Sequence, residues 1–66
     1  MEIQVNGNSV ECPEGCTVAQ LLEQMNIPTA GTAVARNDQV VRKAKHAETV
    51  LSPGDRIEII RAVAGG

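Results

Sequence analysis

The sequence contains no Phe, Tyr or Trp among its 66 residues. Any core must come from Val, Ile, Leu, Met and Ala, and no aromatic platform is present on which a nucleobase could stack. Nor is there a basic surplus: six Lys and Arg stand against eight Asp and Glu, a formal net charge of -2. Both absences argue against a nucleic-acid partner. No apolar run approaches the length of a bilayer span. Met1-Glu2 opens an alternating pattern and not a leader, so no membrane partner and a cytoplasmic location are expected. The two cysteines, Cys12 and Cys16, are too few for a disulfide framework or a four-thiolate cluster. His46 is the only further soft donor, so no metal site is expected.

What is present is the composition of one small folded domain: 42% of residues are hydrophobic and 21% charged, outside the range of disordered chains. A chain this short cannot wall a deep cleft, which leaves a carrier, a modifier, a binding module or a subunit of something larger. Met1, Ile3 and Val5 alternate with Glu2 and Gln4, a half-buried strand. Asn6-Gly7 is a strong two-residue hairpin signal, after which Val10 and Cys12 resume the inward alternation. Pro13-Glu14-Gly15 ends the hairpin. Thr17 with Gln20 three residues on is a capping box. Val18, Leu21, Leu22 and Met25 then form one helical stripe, closed by Asn26 and Pro28. Cys16, just ahead of the cap, can staple onto Leu21.

Ala33 to Asn37 reads as a short strand, Asn37-Asp38 as a turn and Gln39 to Val41 as its return. Arg42 to Glu48 is polar, a short helical turn or irregular crossing, with His46 expected at the surface. Val50-Leu51 is expected to dock on the core, and Ser52-Pro53-Gly54-Asp55 is a turn. Arg56 to Ile60 is the most β-prone segment, with Ile57 and Ile59 on one face and Ile60 on the other. The pattern predicts an α+β protein: a β-grasp with a mixed four- to five-stranded sheet and one main helix on one face. The last strand should lie parallel beside the first. That leaves Ile60 on the uncovered face as a docking residue or a lone surface hydrophobe, with Arg61 next to it.

Residues 1–60 form the expected domain and 61–66 a flexible tail, Arg61-Ala62-Val63-Ala64-Gly65-Gly66. Two closing glycines would occur by chance in roughly one chain in 200. Lacking Cβ atoms, they can thread a narrow channel at any φ it imposes. Six extended residues reach about 20 Å, enough to bring a terminal carboxylate into a partner's buried site. That carboxylate is ionised near neutral pH and a poor electrophile, so chemistry on it needs activation, ordinarily as a mixed anhydride made from ATP.

Taken with Ile3-Gln4-Val5-Asn6-Gly7, Thr17-Val18-Ala19-Gln20-Leu21-Leu22, Ala33-Val34-Ala35-Arg36-Asn37, Gly54-Asp55-Arg56-Ile57-Glu58-Ile59 and Val63-Ala64-Gly65-Gly66, the chain resembles the ThiS family of ubiquitin-like sulfur carriers over essentially its whole length. The resemblance implies a carrier of thiamine biosynthesis, a co-substrate with no catalytic residue and no bound cofactor of its own. Gly66 would be adenylated by a ThiF-like adenylyltransferase using ATP, then converted to a thiocarboxylate with sulfur from a cysteine desulfurase. A ThiG-like thiazole synthase would take that sulfur. Val63, Ala64 and Gly65 would occupy the partner's channel, and the free carrier would be a monomer. The molybdopterin carrier family MoaD shares the fold and a similar ending, and an ubiquitin-like modifier would begin with the same adenylate. A plain interaction module with an idle tail is the third alternative. One local departure concerns Arg42-Lys43 and His46, which stand where ThiS-family members often carry a Pro-Arg step and a bulky aromatic.

Overall fold

The Asn6-Gly7 pair takes positive φ at both positions, 51° and 83°, the geometry of a turn that matches strand twist and closes a two-residue hairpin. It joins β1 (Glu2–Val5) to β2 (Asn8–Glu11). A computed structural model describes residues 1–61 of the chain. The remaining elements are α1 (Val18–Gln24), β3 (Thr32–Arg36), β4 (Gln39–Val41), a 3₁₀ turn (Lys43–Lys45) and β5 (Arg56–Arg61). The sheet order is β2-β1-β5-β3-β4. As expected, β5 runs parallel to β1, with Gln4 beside Arg56 and Val5 beside Ile57. β3 and β4 are each antiparallel to their preceding neighbour in the sheet, so the sheet is mixed.

The core lies between the helix and one face of the sheet. Ile3, Val5, Val34, Ile57 and Ile59 from the strands meet Val18, Leu21 and Leu22 from α1 in one buried cluster, joined by Cys12, Cys16 and Leu51. Cys16 and Leu21 both sit in that cluster, as a hydrophobic staple requires. Val50 does not dock: it is 52% exposed and forms a single bridge to Thr17, and Leu51 alone turns inward.

A seven-residue helix is too short to be stable by itself, and here both ends are fully tied. Thr17 Oγ1 accepts from the Gln20 amide at 3.2 Å, and the Gln20 side chain accepts from the Thr17 amide at 3.0 Å. The Val18 and Ala19 amides donate to the carbonyls of Thr49 and His46, both at 3.0 Å. The segment after the 3₁₀ turn thus supplies acceptors that the helix's first turn lacks. At the other end Asn26 adopts φ 58°. Its amide donates to the Glu23 carbonyl at 3.1 Å, and that of Ile27 donates to the Leu22 carbonyl at 2.8 Å. This is a Schellman stop built on Asn in place of Gly.

Asn6 has a second task besides its turn. β1 ends at Val5, but β5 continues, and the Asn6 side chain takes over the ladder. Its Oδ1 accepts from the Ile59 amide at 2.8 Å, and its Nδ2 donates to the Ile59 carbonyl at 3.2 Å. Asn6→Ala should cost about 2 kcal/mol in a denaturant titration, because two backbone groups of Ile59 lose partners and Ala tolerates positive φ poorly. A loss below about 0.5 kcal/mol would show that water replaces the amide without penalty.

Candidate functional site: the last strand and its exit

The tail residues expected to carry the chemistry, Val63, Ala64, Gly65 and Gly66, lie outside the described residues. The described portion of the site is the strand that leads to them. β5 sits between β1 and β3, and its antiparallel pairing with β3 continues through Ala33 opposite Ile60 to Thr32 opposite Arg61. Arg61, assigned above to the tail, is the last residue of β5. The strand is therefore held until the end of the described chain.

Alternation along β5 buries Ile57 and Ile59 and leaves Ile60 65% exposed on the face away from α1. Its cross-strand partner there is Ala33; Ala35 lies two residues on, and Ala35 in turn opposes Val40, which is 78% exposed. Two alanines between a surface Ile and a surface Val make a low apolar shelf beside the chain's exit. No single residue of this shelf is unusual for a soluble surface; what distinguishes it is its position.

The opposite end of β5 is fixed by charge. Asp55, at the close of the Ser52–Asp55 turn, is buried, a placement with no local signal in the sequence. Its carboxylate accepts from the Arg36 Nε at 2.7 Å, the Ser52 amide at 2.8 Å and the Asn37 Nδ2 at 3.1 Å. Asn37 Oδ1 accepts from the Arg56 amide at 2.9 Å, and Arg56 also pairs with Asp38 at 3.1 Å. Burial by itself would raise the Asp55 pKa; the Ser52 amide, Arg36 and Asn37 outweigh it and hold the carboxyl below its usual value. The folded state therefore binds this proton less readily than the unfolded chain. The resulting stability is complete at neutral pH and is lost as pH falls below about 4, the unfolded value, towards the folded one. Melting temperatures recorded from pH 6 downward should drop over this range. Asp55→Asn should be less stable at pH 7 and show a shallower acid decline. An unchanged acid decline in that variant would assign the effect to other carboxylates.

His46 corrects an expectation: it is 3% exposed and not a surface residue. Its Nε2 lies 3.1 Å from the Val41 carbonyl and donates to it, leaving Nδ1 as the other polar atom of the ring. That Nδ1 is buried without a partner among the described residues. The usable signal was positional, since a bulky aromatic often occupies this place in the resembled family. Cys12 and Cys16 are both buried, at 5% and 3% exposure. The described residues hold no group of three or more side chains suited to a metal ion. An open depression of about 660 Å³ is lined chiefly by Arg36, Gln39, Val40, Val41, Arg42 and Lys45. No nucleophile stands there with a base to activate it. No helix among the described residues is long and apolar enough to cross a membrane.

A family model of ThiS matches residues 3–66. The chain belongs to the ThiS family. It is 38% identical to the sulfur carrier protein ThiS of Escherichia coli (strain K12), and the match covers all of both chains. The crystal structure of a thiamine biosynthesis protein (ThiS) from Geobacter metallireducens superposes with a TM-score of 0.85 at 26% identity, again over the whole of both chains. The β-grasp expected from the element order is thus the fold of a ThiS-family structure. The chain also aligns end to end, at 30% identity, with a thiazole synthase from Paramagnetospirillum magneticum, but spans only 20% of that protein's length. A ThiS-like segment therefore exists within a larger polypeptide named for thiazole synthesis.

Proposed function

We propose that this ThiS-family chain carries sulfur for thiazole formation as a thiocarboxylate on Gly66. The observation that carries the reading is the full-length match to a sulfur carrier protein, on a chain that closes with Val63-Ala64-Gly65-Gly66. As a sulfur carrier of thiamine biosynthesis, the chain is a co-substrate and not an enzyme. An adenylyltransferase of the ThiF kind joins the Gly66 carboxylate to the α-phosphate of ATP and releases pyrophosphate. The outer sulfur of a persulfide made by a cysteine desulfurase then attacks the acyl-adenylate and expels AMP to give an acyl disulfide. A partner thiol cleaves the S–S bond, leaving with the persulfide's inner sulfur as a disulfide while the thiocarboxylate stays on Gly66. The cytoplasm, where ATP and persulfide donors are both available, is the compartment this chemistry requires. Among the carrier pathways, the segment shared with thiazole synthases favours a ThiG-like acceptor over molybdopterin synthesis.

The apolar shelf fits the same reading. Ile60 and Ala33 lie beside the last residue of β5, with Val40 further back, level with Glu58, so a partner seated on them would receive the tail from a fixed point. Ile60→Asp should leave the melting temperature within about 3 °C, because the side chain is already exposed, while raising the KM for adenylation at least tenfold. An unchanged KM would remove Ile60 from the docking surface, and Arg61→Glu read in the same assay does the same for Arg61.

The deciding experiment is an intact-mass measurement after incubation with ATP, a ThiF-like enzyme and a persulfide donor. Replacement of one oxygen by sulfur, mapped to Gly66, is the expected result. Conjugates to lysine that survive reducing agent would instead identify a protein modifier. A loaded chain that gives up its sulfur to molybdopterin synthesis and not to thiazole synthase would redirect the pathway.

A further inference from the structure

The reading of the tail uses neither Cys12 nor Cys16, and the hairpin sets Cys12 at the far end of the sheet from Arg61. Cys12 closes the first hairpin opposite Met1: its amide donates to the Met1 carbonyl at 2.9 Å, and the Met1 ammonium donates to its carbonyl at 2.6 Å. Since Gln4 stands level with Arg56, Met1 is level with a point about eight residues before Arg61, or about 25 Å along the sheet.

Both cysteines belong to the one buried core cluster, at the two ends of a tight turn. Pro13-Glu14-Gly15 folds back between them, with Gly15 at φ 81° and the Cys16 amide donating to the Pro13 carbonyl at 3.2 Å. The Leu51 amide donates to the Cys16 carbonyl at 2.8 Å and pins that end of the loop to the core. Both thiols are free and buried in the same core cluster, and Cys16 Sγ donates to the Thr17 carbonyl at 3.4 Å. An open depression of about 350 Å³, lined by Pro13, Glu14, Gly15, Cys16, Gln20 and Gln24, gives a path to Cys16 from solvent.

We propose that Cys12 and Cys16 form a redox-active dithiol that closes to an intrachain disulfide when a low-molecular-weight disulfide reacts at Cys16. The thiolate of Cys16 attacks one sulfur of the oxidant, forms a mixed disulfide and expels the first thiolate. Cys12, losing its proton, attacks the Cys16 sulfur and expels the second. Two electrons pass from the cysteine pair to the oxidant, and its two halves leave as thiols. Burial and the neighbouring Cys12 push the Cys16 thiol up, so the reaction should be slow at neutral pH and accelerate as pH rises. Closing the loop removes freedom from the unfolded chain, which should raise the melting temperature by about 5–10 °C.

The test equilibrates the full chain with oxidised glutathione and reads intact mass, thiol content after unfolding in iodoacetamide, and thermal stability. The expected product is a folded monomer lighter by two hydrogens, with no alkylatable thiol, a higher melting temperature and full reversal by dithiothreitol. Cys12→Ser and Cys16→Ser should each fail to give that species. The mass and thiol readings on the natural chain decide the matter even if a serine variant does not fold. The proposal is overturned if both thiols remain alkylatable after excess oxidant, if oxidation occurs only in denaturant, or if glutathione adducts or intermolecular dimers are the main product. None of these outcomes bears on sulfur loading at Gly66.

Discussion

A chain shortened by Gly65 and Gly66 is expected to fold as the full chain does and to take up no sulfur. Among the described residues β5 runs to Arg61 and the buried hydrophobic residues of the core all precede it, so the melting temperature should stay within about 2 °C. The chemistry should fail for two independent reasons. The new terminal carboxylate belongs to Ala64, set back by about 7 Å from the position a partner's phosphoryl-transfer site expects. It would also carry a Cβ where the proposed partner channel takes glycine. A misplacement of a single ångström can already cost about a hundredfold in rate, so the loss should be complete by intact-mass assay. Retained loading in the shortened chain would show that the sulfur resides elsewhere. Gly66→Ala separates the two causes, because it restores the length and keeps only the bulk.

The largest effect on stability is expected at Leu21. Its side chain is fully buried between helix and sheet, and a Leu-to-Ala change in such a place costs about 2–5 kcal/mol through lost transfer energy and the cavity left behind. A 66-residue domain has only about 3–10 kcal/mol in total. Leu21→Ala should therefore lower the melting temperature by about 15–20 °C or leave the chain substantially unfolded at 37 °C. Leu21→Met, which keeps the volume, should cost less than about 1.5 kcal/mol. A drop of under 5 °C for the alanine variant would mean that α1 settles into the space. With no aromatic side chain in the molecule to share the load, such settling would have to come from Val, Ile and Leu alone.

What the sequence makes legible here is whatever depends on neighbours a few residues away. Asn6-Gly7 and Asn37-Asp38 specify their turns through positive φ, and Thr17 with Gln20 specifies a helix start by reciprocal hydrogen bonds. The alternation of β5 predicts which isoleucines are buried and that Ile60 is not. What escapes depends on partners distant in the chain. Asp55 looks like an ordinary turn residue until Arg36 and Asn37 are brought to it by the β3–β5 pairing. Asn6 reads as a turn residue only, because its second role requires Ile59, 53 positions away. His46 reads as polar surface because burial of an imidazole depends on the Val41 carbonyl that β4 presents. The Val50-Leu51 pair could not be resolved by hydrophobicity, since only strand-like bridging to Thr17 decides which of them turns inward. At the functional end, the glycines are legible as a motif.

The placement of β5 also has a mechanical consequence. A partner that draws on the terminus delivers its load to a strand flanked on both sides, and tension along that strand's axis acts in shear. The five pairings with β3, the two with β1 and the Asn6 clasp on Ile59 then resist together and do not give way in succession. An edge strand in the same role could be peeled away rung by rung. On the proposed reading, a carrier gripped by its end would keep its shape because its handle is rooted in the middle of the sheet.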